Sequence, residues 1–413
     1  MFAEIITIGD ELLIGQTIDT NSSWIGEQMN GIGLQVSHIT SIQDQRDQIL
    51  NSLKLAANRS SLVIITGGLG PTNDDITKQT LCEYFDSELT LNTNVLEKIA
   101  YYFENKNLEM LDVNKDQALL PHNCEVLENI RGTASGMWFE KAGVVYLSLP
   151  GVPYEMKGIM VENGLPRIKE RFSKGKVVNK TVKTHGIGES YLAKLIKEWE
   201  QNLSEDQISL AYLPSPGIVK LRLTAIGEDE KLLLKKIDYY IDELNYLIPN
   251  YIYGYNKDTL ESVVGDLLRK KSFSLSLAES CTGGHIAKII TSVSGCSDYF
   301  KGSVVAYSDE IKQSLLSVEP ENIESFGAVS KEVVEQMAIG LTKKFNTDFG
   351  LATSGIAGPT GGTKEKPVGT VWIAVAGPEG VVSKKFTFGN SRERNIIISS
   401  LSALNMLRVE LLK

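Results

Sequence analysis

Short apolar runs that stop at small or polar loop residues recur along this chain. "EIITIG", "SLVIITGG" and "GVVYLSLPG" appear in the first third, and "SLSLAES", "GSVVAYS" and "DFGLATSG" in the last. Each has strand length, and helical patterns follow several of them: "NSSWIGEQMNGIG", "DDITKQTLCEYF", "GGHIAKIITSV" and "DEIKQSLLSV". Strands alternating with helices in this way predict mainly parallel α/β sheets, with ligands taken at the carboxyl ends of the strands.

With 413 residues the chain is too long for one hydrophobic core. Between the two alternating stretches, "RIKERFSKGKVVNK" is basic and poor in large apolar residues, and reads as a linker. After it come a strand ("TVKTHG"), a helix ("ESYLAKLIKEWE"), a strand ("GIVKLRLTAIG") and a long helix ("DEKLLLKKIDYYIDELNYLI"), a small α+β unit closed by "PNYIYGYNKDTL". The expected division is therefore 1–168, 177–251 and 255–413. No run approaches the roughly 18 apolar residues of a bilayer span, and the first residues carry no basic stretch followed by a long apolar one, so a cytoplasmic protein with no membrane partner is expected. A net charge of −9 argues against broad nucleic-acid binding. It leaves small anionic ligands open, because helix N-terminal amides hold them without net positive charge. The four cysteines form no C-x-x-C pair and the four histidines are dispersed, which weakens disulfide and metal-cluster readings.

Chemistry concentrates first in "SLAESCTGGHIAK". The strand ends at Glu279 and a helix pattern starts near Gly283, so Ser280, Cys281 and Thr282 fall on the turn. A turn of this kind presents a nucleophile and offers free amides to a developing oxyanion. Cys281 would want a histidine partner, and nothing in the spacing places His285 against it. A base for Ser280 stands in "VVAYSDEIK", where Ser308 or Asp309 caps a helix and Lys312 falls in its first turn. The helix dipole opposes a cation there and favours the neutral amine, which can accept a serine proton. Tyr307 lies just before the cap, and Ser354, Gly355 and Gly358 stand where a third strand enters a glycine-rich loop. Each feature has an ordinary reading too: a plain N-cap, a solvated lysine, a buried cysteine, a flexible loop.

A second constellation lies in "TIGDELLIGQTIDTNS" and "TGGLGPTNDDITK". Glycine-rich turns there let the chain approach a phosphate, and Asp10, Glu11, Asp74 and Asp75 offer oxygen ligands to a divalent ion. Helix-start aspartates are the ordinary alternative.

The motifs "AESCTGG", "VAYSDEIK", "GAVS", "SGIAGPTGG" and "KPVGTVW" together resemble the C-terminal domain of the CinA (competence/damage-inducible) family, similar to stand-alone nicotinamide mononucleotide deamidases. The resemblance covers 255–413. It implies metal-free hydrolysis of nicotinamide mononucleotide to nicotinate mononucleotide and ammonia, with Ser280 as nucleophile, Lys312 as base and Tyr307 assisting. Glu279, Thr282, Gly283, Gly284, Ser354, Gly355 and Gly358 would line the substrate. Residues 1–168 resemble the molybdopterin-binding fold, a three-layer α/β/α domain. Within this family that domain is associated with a metal-dependent (Mg2+, Mn2+ or Co2+) ADP-ribose pyrophosphatase. Carried over, Gly9, Asp10, Glu11, Asn21, Thr66, Gly67, Gly68, Gly70 and Thr72 would hold the nucleotide, and Asp75 with Asp74 the metal. The middle stretch resembles the family's small K-homology-type domain, an α+β spacer and dimer element, and the resemblance implies a homodimer. Two readings stay open: a pyridine-nucleotide salvage hydrolase, and a non-catalytic nucleotide-binding partner in competence or DNA-damage responses.

Overall fold

A strand covered on both faces has to be apolar nearly throughout, and β1 (Phe2–Ile8) is buried at every residue but its first. Its one carboxylate, Glu4, is 1% exposed and accepts a two-pronged donation from Arg59 at 2.6 and 2.8 Å. The computed structural model describes residues 2–70, 75–172 and 175–413. Its first sheet adds β2 (Gln35–Ile42), β3 (Leu62–Thr66), β6 (Glu125–Leu127), β7 (Gly136–Lys141) and β8 (Val144–Leu149), while β4 (Leu89–Leu91) and β5 (Leu119–Pro121) make a separate pair. The order is β2-β1-β3-β8-β7-β6, parallel through β8 and antiparallel beyond it. Helices Arg46–Ala57 and Thr77–Tyr84 supply Ile49, Leu53 and Leu81 to the core on one face. Helices Thr20–Gly31 and Pro153–Ile159 supply Ile25, Met29 and Met156 on the other. This is the expected three-layer α/β/α arrangement.

The expected linker is not one. "RIKERF" belongs to the helix Leu165–Phe172, and "KVVNK" opens β9 (Lys176–His185). Ile168 and Phe172, four residues apart and so on one helical face, are buried in the first core while the charges face outward. Counting large apolar residues missed this because two of them suffice for a two-turn amphipathic helix.

The middle sheet has the order β10-β11-β9-β12, adding β10 (Ile208–Ser215), β11 (Ile218–Gly227) and β12 (Ile252–Tyr255), with the long helix Glu230–Leu247. The last sheet runs β14-β13-β15-β16-β17, from β13 (Leu275–Glu279), β14 (Phe300–Val305), β15 (Phe349–Gly355), β16 (Thr370–Gly377) and β17 (Gly380–Thr387). Its first three strands are parallel, and β16 and β17 are antiparallel. Helices Leu260–Lys271 and Arg392–Leu412 cover one face and Lys331–Phe345 the other.

By their contacts the residues gather into two compact units, 1–178 with 226–231, and 179–225 with 232–413. The middle and last stretches merge because Tyr253 and Ile218 of the former pack into the same core as Leu260, Phe349 and Leu404 of the latter. One helix among the described residues, Arg392–Leu412, is long and apolar enough to cross a membrane. Half of that window is buried, with Ala403, Leu404, Leu407 and Leu411 in the core, so packing accounts for its apolar character.

Candidate active site

Parallel pairing fixes where the candidate residues meet. Glu279 at the end of β13 is in register with Val305 of β14 and Thr353 of β15. The residues that follow, Ser280, Ala306–Tyr307 and Ser354–Gly355, therefore emerge together at the carboxyl ends of three adjacent strands, about 5 Å apart by ordinary sheet spacing. The Ser280 amide donates to the Thr353 carbonyl at 3.0 Å, extending the ladder one residue before the chain turns.

The turn itself is held from inside. Glu279, expected to line the substrate, is 0% exposed, and its carboxylate instead accepts from the amides of Gly284, Ile286 and Ala287 at 2.8–3.1 Å. A carboxylate on the amides of a helix start is a favourable pairing, and it fixes the angle at which Ser280 leaves the sheet. The Thr282 hydroxyl is also turned inward, 2.9 Å from that of Thr353. Among the described residues the Thr282 backbone amide has no acceptor, which leaves it available to an oxyanion. Gly283 and Gly284 take left-handed backbone conformations in this turn. Ser354 is buried and donates to the Ala328 carbonyl at 2.6 Å, so its hydroxyl supports the loop from beneath. A Cβ on Gly355 would stand 3.0 Å from Cys281 Sγ.

The cysteine reading fails on environment. Burial pushes the Cys281 thiol up to about 12, far from the thiolate that attack requires. His285 bonds through Nδ1 with Ser400 of the last helix at 2.9 Å instead of facing the thiol.

Lys312 sits in the helix Asp309–Leu316, capped by Ser308 through the Ile311 amide, and is 2% exposed. Its Nζ donates to the Tyr307 carbonyl and to Asp309 Oδ1, each at 3.2 Å, and no hydrogen bond joins it to Ser280. Tyr307 projects outward, 61% exposed, and its hydroxyl accepts from Arg392 Nη2 at 3.2 Å. Arg392 also donates to the Gly358 carbonyl at 3.0 Å, tying the tyrosine to the glycine-rich loop. Sequence reasoning missed Arg392: it lies 85 residues beyond Tyr307, at the start of a helix whose pattern reads only as core.

Three family models account for nearly the whole chain: "Probable molybdopterin binding domain" over 4–170, "Damage-inducible protein CinA KH domain" over 179–254, and "CinA C-terminal domain" over 257–411. A CinA-like protein of Cytophaga hutchinsonii is 50% identical over 411 residues, spanning 100% of this chain and 98% of its own. The chain belongs to the CinA family. A CinA-like protein of Flavobacterium psychrophilum is 49% identical over 415 residues, covering 100% of this chain and 99% of its own. Among solved structures, a competence/damage inducible protein from Agrobacterium tumefaciens is 35% identical over 37% of this chain and 94% of its own, with a TM-score of 0.36.

The molybdopterin-binding part of this CinA chain repeats the plan of strand ends. Thr7 of β1 pairs with Thr66 of β3, and Thr66 with Leu149 of β8. Gly9–Asp10–Glu11, Gly67–Gly70 and Pro150–Gly151 thus leave the sheet side by side. A Cβ on Gly67, whose φ is +118°, would lie 2.1 Å from the Ile8 carbonyl oxygen, so only glycine lets the two strand tails touch. Asn21 is buried and donates to Thr66 Oγ1 and the Gly151 carbonyl at 3.1 and 2.7 Å, joining the end of β3 to the tail after β8. Its Oδ1 is a buried acceptor without a partner among the described residues. Asp10 and Glu11 are exposed at the rim. Beside Gly70, a cavity of about 260 Å³ is lined by Asp75, Lys78, Asp116 and Gln117. Burial lowers the Lys78 pKa against the opposing pull of Asp116 and Asp75. Asp75 accepts from the Gly70 amide at 2.9 Å. Thr72, Asn73 and Asp74 lie outside the described residues. Among the described ones no three carboxylate, imidazole or thiol groups converge.

Proposed function

We propose that the second unit hydrolyses the carboxamide of nicotinamide mononucleotide to nicotinate mononucleotide and ammonia. What carries this reading is the emergence of Ser280 on a turn at the end of β13, next to the β14 end from which the helix carrying the buried Lys312 leaves. Ser280 Oγ attacks the carboxamide carbon and its proton passes to Lys312 Nζ, which first exchanges Asp309 and the Tyr307 carbonyl for the serine. The Thr282 amide receives the developing oxyanion. Collapse breaks the C–N bond, and Lys312 returns the proton to the leaving ammonia. Water then attacks the acyl-serine by the same route reversed. Tyr307, Arg392 and the Gly358 loop are tied together by the Arg392 bonds, and Arg392 would offer its charge to a substrate phosphate.

Ammonia release from nicotinamide mononucleotide, with chelator present, tests the proposal in wild type beside Ser280→Ala. We expect metal-independent turnover that falls by at least about a thousandfold in the variant, the usual scale for a missing nucleophile. Equal turnover in both would remove Ser280 from the chemistry, and none in folded wild type would favour a non-catalytic nucleotide-binding role.

A second reading belongs to the first unit, a nucleotide site hydrolysing ADP-ribose at its phosphate bridge. It is supported by the glycine-edged cleft at β1, β3 and β8 and the unpartnered Asn21 acceptor within it. AMP formation from ADP-ribose, with and without Mg2+, Mn2+ or Co2+, separates hydrolysis from binding alone.

A further inference from the structure

The second unit holds another cavity that neither reading uses. It has a volume of about 430 Å³ and lies between the β9 end and β10–β11 turn on one side and β17 with the start of the Arg392–Leu412 helix on the other. At its inner wall stands His185, 6% exposed, with neither Nδ1 nor Nε2 hydrogen-bonded among the described residues. Leaving buried polar groups unmet is costly, which makes the persistence of such an imidazole informative. Burial, and then the nearby charge of Arg408, lower its pKa to about 4. At neutral pH it therefore offers one donor and one acceptor, the pattern that pairs with a heterocycle carrying an amide- or amidine-like edge.

The other walls fit the same guest. Phe386 and Phe388 stack with ring centres 5.5 Å apart and planes within 13°, and Ile218 and Ile398 add apolar surface. Arg394 also lines the cavity and has no ion pair among the described residues. At 3.6 residues per turn, positions two apart on a helix point to nearly opposite sides. Arg392 is thus spent on Tyr307 and Gly358, and Arg394 is left to the cavity. Glu189, also in the lining, suits hydroxyl donors such as those of a ribose and disfavours a second phosphate. The volume is in the range that encloses a small ligand.

We propose that this cavity binds a nucleoside monophosphate, with its base against the Phe386–Phe388 pair and His185 and its phosphate on Arg394. Bound there, the nucleotide bridges the middle sheet and the last one, whose strand ends carry Ser280.

The test uses full-length protein carrying Ser280→Ala, with chelator present and histidine labelled with 13C at Cε1. In this background the amidase step is disabled, so a result here is independent of whether the amidase proposal survives. Loss of one of the four imidazole signals in His185→Gln assigns His185. On titration with AMP the His185 signal is expected to shift saturably, and to move far less with adenosine or inorganic phosphate at the same concentration. Arg394→Gln should weaken AMP binding by about tenfold or more, the worth of a charge-assisted hydrogen bond, with the melting temperature unchanged. A His185 signal unmoved by millimolar AMP overturns the proposal. So does an Arg394→Gln protein that titrates like its parent, or an equal response to inorganic phosphate alone.

Discussion

Lys312 is the residue on which the amidase reading turns. Held by Asp309 and the Tyr307 carbonyl, its amino group is buried with a carboxylate beside it. Lys312→Arg keeps the charge but places a guanidinium that gives up no proton at neutral pH, so it cannot serve as base. Ammonia release should fall by about a hundred- to ten-thousandfold, the span usual for a lost general base. Arginine is also bulkier at a site 2% exposed, so Lys312→Met, which fits the lysine's volume, belongs beside it, with melting temperatures recorded for both. Full turnover in either folded variant would take the proton-transfer role from Lys312. Cys281→Ala is the converse case. Its thiol is protonated at neutral pH, and removing it should leave ammonia release within about tenfold of wild type.

At the scale of elements, packing decides between two opposite effects of the same substitution. Gly26 and Gly340 both lie inside helices, Thr20–Gly31 and Lys331–Phe345. Propensity alone predicts that Gly→Ala stabilises each by about 1 kcal/mol. A Cβ on Gly26 meets nothing within 4 Å, and Gly26→Ala should raise the melting temperature. A Cβ on Gly340 would stand 1.8 Å from the Leu316 carbonyl, at the end of the helix that carries Lys312. Overpacking against backbone costs about 1–3 kcal/mol, so Gly340→Ala should melt lower and reduce ammonia release by shifting that helix. A higher melting temperature in Gly340→Ala would mean that the two helices do not meet there. The same contrast marks what could be read in advance. The strand ends at Glu279 and Thr66 were legible, and that of β14 to within two residues (Val305 against the expected Tyr307), because period, length and glycine punctuation are local signals. The inward aim of Glu279, the Ser354 bond to Ala328 and the approach of Arg392 were not, since each depends on which segments become neighbours after folding. The helix Leu165–Phe172 was hidden by its charges, although its two buried residues keep the spacing of one face.

For the whole molecule, one design serves twice: both units put a glycine-edged turn beyond the carboxyl ends of three parallel strands, β1, β3 and β8 in one, β13, β14 and β15 in the other. The units differ in how their boundaries are drawn. The sequence places a last domain beginning near residue 255, yet its core is completed from outside that boundary by Tyr253 and Ile218, the first 6% exposed and the second partly buried. Burying a large apolar side chain contributes about 1.5–3 kcal/mol, so losing these two removes a sizeable share of the roughly 5–15 kcal/mol that holds a domain together. A fragment of residues 257–411 should therefore melt well below one of 179–413 while keeping Ser280, Lys312 and Tyr307. Thermal unfolding of the two, followed by ammonia release from each, checks this. Equal melting temperatures would show that the last sheet closes its own core, and that the middle sheet adds a binding surface without adding stability. A lower melting temperature with activity retained would separate the two contributions: chemistry set by three strand ends, stability by the strand and hairpin before them.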